Sequence, residues 1–128
     1  MEIGTFARWG RLIFEILAWL FLLCIIVQVF IAGMATFSDS TDWEIHRTFV
    51  RSFALTPLVM FLLTFAGKMN GKVRWLSLGL FALIIFQFLT VQVFKSVFVL
   101  AALHPVIALL LFWGSITTLR RIPRRQAR

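Results

Sequence analysis

Leu12 to Met34 reads LIFEILAWLFLLCIIVQVFIAGM, an apolar run interrupted by only two strongly polar side chains, Glu15 and Gln28. A helix rising ~1.5 Å per residue needs roughly 20 such residues to cross ~30 Å of hydrocarbon. This stretch meets that length. It is too long for the apolar region of a secretory signal, which runs roughly 7–15 residues. Three further runs follow, at about 44–67, 75–94 and 97–119. The second has Arg51 near its apolar start and Pro57 inside, the third carries Gln87 and Gln92, and the fourth carries His104 and Pro105. None alternates with the period of two that a membrane barrel requires.

The rest of the composition agrees. The chain has 128 residues, 61% hydrophobic and 14% charged, with a mean hydropathy of +0.96. Soluble domains run about 45–50% apolar and about 25% charged. A water-soluble globule and a disordered tail are therefore poor readings. The net charge of +8 does not make a nucleic-acid binder, because no folded reader accompanies the basic residues. Cys24 is the single cysteine, so no internal disulfide and no cysteine-based metal site can form.

Charge placement predicts orientation. Arg8 and Arg11 precede the first span. Lys68, Lys72 and Arg74 lie between the second and third. Arg120, Arg121, Arg124, Arg125 and Arg128 follow the fourth, so ten of thirteen basic residues fall on one side. Lys/Arg excess marks the cytoplasmic face. The expectation is an all-α, up-down-up-down bundle of four transmembrane helices, with N and C termini cytoplasmic. The chain would be a single domain in the cell (plasma or inner) membrane, with residues 120–128 as a basic tail. The links at Gly67–Lys72 and Lys95–Ser96 are short, which favours antiparallel neighbours.

A faint repeat runs through the chain. Ile25-Ile26-Val27-Gln28 resembles Ile84-Ile85-Phe86-Gln87, and a histidine follows each glutamine, 18 residues on at His46 and 17 on at His104. Spans one and two would then correspond to spans three and four.

His46 and His104 are the only histidines. Thr41-Asp42-Trp43-Glu44 fits a capping box, which starts a helix near Asp42 and places His46 in its second turn. His46, Phe49, Val50 and Phe53 then share a face. An ionisable group inside a membrane helix marks a candidate site. Two imidazoles from facing helices suit a six-coordinate haem iron, here heme b held without covalent attachment, with His46 and His104 as metal ligands. Arg47 and Arg51 would neutralise its propionates. Phe49, Phe53, Phe88, Phe94 and Phe98 would line the ring edge, and Gly33 would relieve crowding on the first helix. Ala101, Ala108 and Ser115 leave room for a flat ligand. Against this, span centres near residues 56 and 108 put His46 ~15 Å and His104 only ~6 Å from the midplane. The bland reading makes both histidines structural.

Glu15 lies one turn after Arg11, which predicts a local ion pair; the sharper reading is a proton-linked carboxylate in a small transporter. The glutamines read as glue between helices.

Trp43-Glu44-Ile45-His46-Arg47 and Leu103-His104-Pro105-Val106 resemble signatures of small bacterial four-helix membrane proteins without an assigned function. The chain also resembles one four-helix half of heme A synthase, whose halves each supply histidines from their second and fourth helices. That resemblance implies His46 and His104 as axial ligands and Glu44 as a possible catalytic carboxylate, although the outer cysteine pair is missing. The expected function is a b-type haem protein for electron transfer or haem handling. The alternatives are an accessory subunit of a larger membrane complex and a Glu15-dependent transporter. The expected partners are the bilayer and a second copy or a larger complex.

Overall fold

The computed structural model describes residues 4–123 and is helical throughout. Arg124, Arg125 and Arg128 of the basic tail lie outside the described residues. The helices are α1 (Thr5–Phe37), α2 (Asp42–Phe53), α3 (Thr56–Ala66), α4 (Gly71–Gln92), α5 (Phe98–Ala101) and α6 (Leu103–Arg121). Four helical stretches are long and apolar enough to cross a membrane: α1, α2 with α3, α4, and α5 with α6.

Two prolines explain why the second and fourth stretches are each in two pieces. Proline has no N–H and crowds the carbonyl four residues back. For Pro57 that carbonyl belongs to Phe53, the last residue of α2; for Pro105 it belongs to Ala101, the last residue of α5. The chain between Phe53 and Thr56 is a turn, closed by Leu58 and Val59 N–H groups donating to Leu55 O at 3.1 Å.

Local signals at the ends were partly misread in the sequence. The capping box does not form: Thr41 makes no side-chain cap bond. Its N–H instead donates to Asp39 Oδ1 at 2.8 Å, which holds that carboxyl below the usual carboxylate range. Glu44 pairs with Arg47 three residues on. At α4, Asn70 does cap, accepting from Val73 N–H at 3.1 Å. The tight link before it turns on Lys68, with φ 47°, and not on either flanking glycine. Met69 N–H reaches back to Thr64 O at 2.9 Å, the closure expected when a helix ends on a left-handed residue.

Gly67 serves packing. A Cβ on Gly10 of α1 would stand 2.9 Å from Gly67 N and 3.1 Å from Ala66 C. Backbones approach this closely only where side chains are missing. The same contact redirects Arg11, whose Nε donates to Gly67 O at 2.7 Å and whose Nη2 donates to Lys68 O at 3.2 Å. The expected Arg11–Glu15 ion pair is absent among the described residues, where Arg47–Glu44 is the one pair within 4 Å. The last carbonyls of a helix accept from basic side chains, and an exposed ion pair one turn away contributes little.

The core is laid down twice. Phe14, Ala18, Phe21 and Ile25 of α1 are buried; so are Val73, Ser77, Leu80 and Ile84 of α4, 59 positions later (14 to 73, 25 to 84). Phe53, Pro57 and Met60 are buried; so are Leu111, Ser115 and Thr118, 58 positions later (53 to 111, 60 to 118). The packing pairs follow the same rule: α1 with α3 matches α4 with α6, and α3 with α4 matches α1 with α6. The faint Ile-Ile-x-Gln likeness is thus the visible part of a structural repeat. Outside this core the large side chains stay apolar, among them Trp19, Leu23, Leu62, Phe86 and Leu109. A coat of that kind suits a lipid bilayer as solvent.

Candidate functional site

α2 is the most polar of the helices, and its close backbone approach is to α1. Gln28 of α1 secures it, donating from Nε2 to His46 O at 2.9 Å. Because α2 stands off from α4 and α6, a cavity of ≈ 1020 Å³ opens between the four stretches. Its walls are mainly apolar, from Ile25 and Val29 on α1 to Phe88 on α4 and Phe112 on α6. The polar exceptions are Gln28, Thr36, His46, Arg47, Arg51, Gln87, Gln92 and His104.

The two histidines meet there. Their ring centroids lie 6.4 Å apart, with planes inclined at 56°. Trp43 packs edge-on to His46 at 5.4 Å. The depth mismatch expected from span centres does not exist. His46 and His104 hold equivalent places in the repeat, each seven residues before a buried core residue, Phe53 and Leu111. The sequence estimate measured from guessed span centres, whereas the helical stretches run Asp42–Ala66 and Phe98–Arg121.

Hydrogen bonding around the cavity is incomplete. Among the described residues, three buried side-chain polar atoms lack a partner: Gln28 Oε1, His46 Nδ1 and Gln87 Oε1. All three belong to residues that line this cavity. Buried polar atoms are nearly always satisfied, so three such atoms together set this cavity apart within the bundle. His104 is different, with Nδ1 3.0 Å from Thr90 Oγ1. Thr90 was not singled out in the sequence; a threonine within an apolar run is ordinary, and only its place three residues after Gln87 hinted at a shared face.

Other expected residues divide. Arg47 and Arg51 both line the cavity; Arg47 is already engaged by Glu44, whereas Arg51 has no carboxylate within 4 Å among the described residues. Phe53 and Phe88 line it, but Phe49, Phe94 and Phe98 do not. Phe49 turns to the core beside Phe53, and Phe98 is 85% exposed beyond α4. Gly33 lines the cavity, and a Cβ there would meet no other protein atom within 4 Å. Ala108 is also on the wall, whereas Ser115 is buried and bonds to Leu111 O in its own helix. Among the described residues no three His, Cys, Asp or Glu side chains converge to hold a bare metal ion.

Residues 28–93 match a family described as a family of unknown function (DUF6220). The match spans just over half of the chain, which therefore belongs to that family. It covers His46, Gln87 and Thr90 and stops short of His104. Comparison with curated proteins and with solved structures gives no significant match, and the likeness to heme A synthase gains no support there.

Proposed function

We propose that this DUF6220 protein is a membrane-embedded b-type haem protein, with His46 and His104 as the two axial ligands. One observation carries the reading. Metal–nitrogen bonds of ~2 Å on either side of an iron, with nitrogens ~1.1 Å from the centre of a five-membered ring of ~1.33 Å bonds, put two ligating imidazole centroids ~6.3 Å apart. The centroids here are 6.4 Å apart. Two imidazoles alone make a poor site for a free ion. They suit an ion that brings its own four equatorial donors, as haem iron does.

The surroundings support the same occupant. The wall is apolar, the absent Cβ of Gly33 leaves flat space beside it, and an unpartnered His46 Nδ1 waits at its edge. Arg51 stands free to meet a propionate, and Arg47 joins it by exchanging Glu44 for a second one. Bound haem would supply one-electron exchange between ferric and ferrous iron, for electron transfer or for passing haem on. The chain's own residues hold the ring, exclude water from its edge and balance its carboxylates.

The finer topology belongs to this proposal. Arg11, early in α1, bonds the end of α3, and Gln28, late in α1, bonds the start of α2. These contacts support an up-down-up-down order. The basic excess supports cytoplasmic termini in a plasma or inner membrane, with the cavity toward the outer side. A second copy or a larger complex would cover part of the apolar coat.

The test is the visible spectrum of protein purified after expression with ample haem. The expected result is reducible Soret and alpha bands, lost in His46→Ala and in His104→Ala while helical content is kept. Colourless wild-type protein would overturn the proposal. A second reading, transport at Glu15, draws on that carboxylate being exposed on α1 with no cation within 4 Å among the described residues. Loss of ion flux in Glu15→Gln vesicles, with a colourless wild type, would favour it.

A further inference from the structure

Thr90 is buried, 2% exposed, and its hydroxyl makes two contacts. Oγ1 donates to Gln87 O at 2.7 Å, and Oγ1 lies 3.0 Å from His104 Nδ1. A hydroxyl has one hydrogen. With that hydrogen spent on the Gln87 carbonyl, the second contact runs toward the oxygen: His104 Nδ1–H donates to Thr90 Oγ1. A neutral imidazole carries one proton, so Nε2 of His104 is left as a bare lone pair.

The other histidine has no such partner. His46 Nδ1 is buried and unbonded. Carrying Thr90 back by the 59 residues that relate α4 to α1 reaches Ile31, which has no hydroxyl. Two rings in equivalent positions therefore differ in that His104 has a hydroxyl neighbour and His46 has none.

We infer that Thr90 is a positioning residue, fixing His104 in the Nδ1–H tautomer so that Nε2 is the nitrogen offered to a metal. A metal-bound histidine is ordinarily oriented by a hydrogen bond from its other ring N–H, and the partner of that bond tunes the ligand. The role toward a metal rests on the haem reading above; the tautomer does not.

The experiment has two arms. In the first, ring nitrogens are read by 15N NMR in labelled, haem-free protein in micelles, near pH 8, where imidazoles are neutral. The sequence has only two histidines, so His46→Gln assigns the signals. Wild type and Thr90→Ser are expected to show His104 protonated at Nδ1, and Thr90→Val to shift the proton toward Nε2. A His104 already protonated at Nε2 in wild type, or unmoved in Thr90→Val with helicity intact, overturns the inference. In the second arm the proteins are titrated with haem. Thr90→Val is expected to bind roughly 10- to 100-fold more weakly, the range for such partners, with Thr90→Ser recovering most of the loss. Equal affinity in all three overturns the role toward the metal. Absence of haem binding in wild type overturns the haem reading and that role together, leaving the tautomer to stand on the first arm.

Discussion

Gly10 and Gly33 lie on one helix, and alanine at each is expected to move stability in opposite directions. At Gly10 the added methyl would stand 2.9 Å from Gly67 N, 3.1 Å from Ala66 C and 3.2 Å from Gly67 Cα. All three are backbone atoms of another helix, which cannot rotate aside. Carbon contacts settle at ~3.5–4.0 Å, so α1 and α3 must part by roughly 0.5–1 Å. Overpacking of this kind costs about 1–3 kcal/mol. Removing a glycine from a helix returns about 0.5–1 kcal/mol. The net loss spans ~0–2.5 kcal/mol and centres near ~1 kcal/mol, or roughly 5-fold in the folded-to-unfolded ratio. Separation that also strains the Arg11 bonds to Gly67 O and Lys68 O would push the loss to the upper end. At Gly33 a methyl meets nothing within 4 Å, and the helix gain of about 0.5–1 kcal/mol stands alone. The assay is reversible unfolding by dodecyl sulfate in mixed micelles, followed by circular dichroism at 222 nm. A Gly10→Ala protein stabilised as much as Gly33→Ala would refute the close packing of α1 on α3.

Two more outcomes follow from the same contacts. Arg11→Met keeps the side chain's bulk but removes both bonds to the end of α3; unfolding in the same assay is expected to move by about 0.5–2 kcal/mol, with Arg11→Lys recovering part of it. Gly33→Phe pushes a ring into the cavity, and haem uptake should fall at least tenfold while helicity and unfolding midpoint hold; unchanged uptake would mean that the ligand sits elsewhere.

The four spans were legible because length and apolarity are properties of the string itself. Both helix breaks had their signal in Pro57 and Pro105, each of which removes a backbone donor. What escaped reading depended on partners distant in sequence. Arg11 had an obvious local carboxylate in Glu15 and chose carbonyls 56 and 57 residues away. The capping box matched its pattern, yet Asp39 took the Thr41 N–H and Arg47 took Glu44. Gln28 and Gln87 were seen as a repeat, but only burial showed that the repeat extends from Phe14 to Thr118. The histidines were found by type, since two ionisable rings in an apolar chain stand out. Thr90 was missed because its importance lies in where one hydroxyl hydrogen is already committed.

The two ends of the bundle are built to different tolerances. Near Gly10 and Gly67 the backbones are riveted, and the first and third helices act there as one beam. At the far end, among the described residues, one side-chain hydrogen bond ties α2 to α1, that from Gln28, beside the packing of Phe53 on Phe21. A ligand entering the cavity would meet at α2 the wall held by the fewer side-chain hydrogen bonds, while the Gly10–Gly67 seam stays closed.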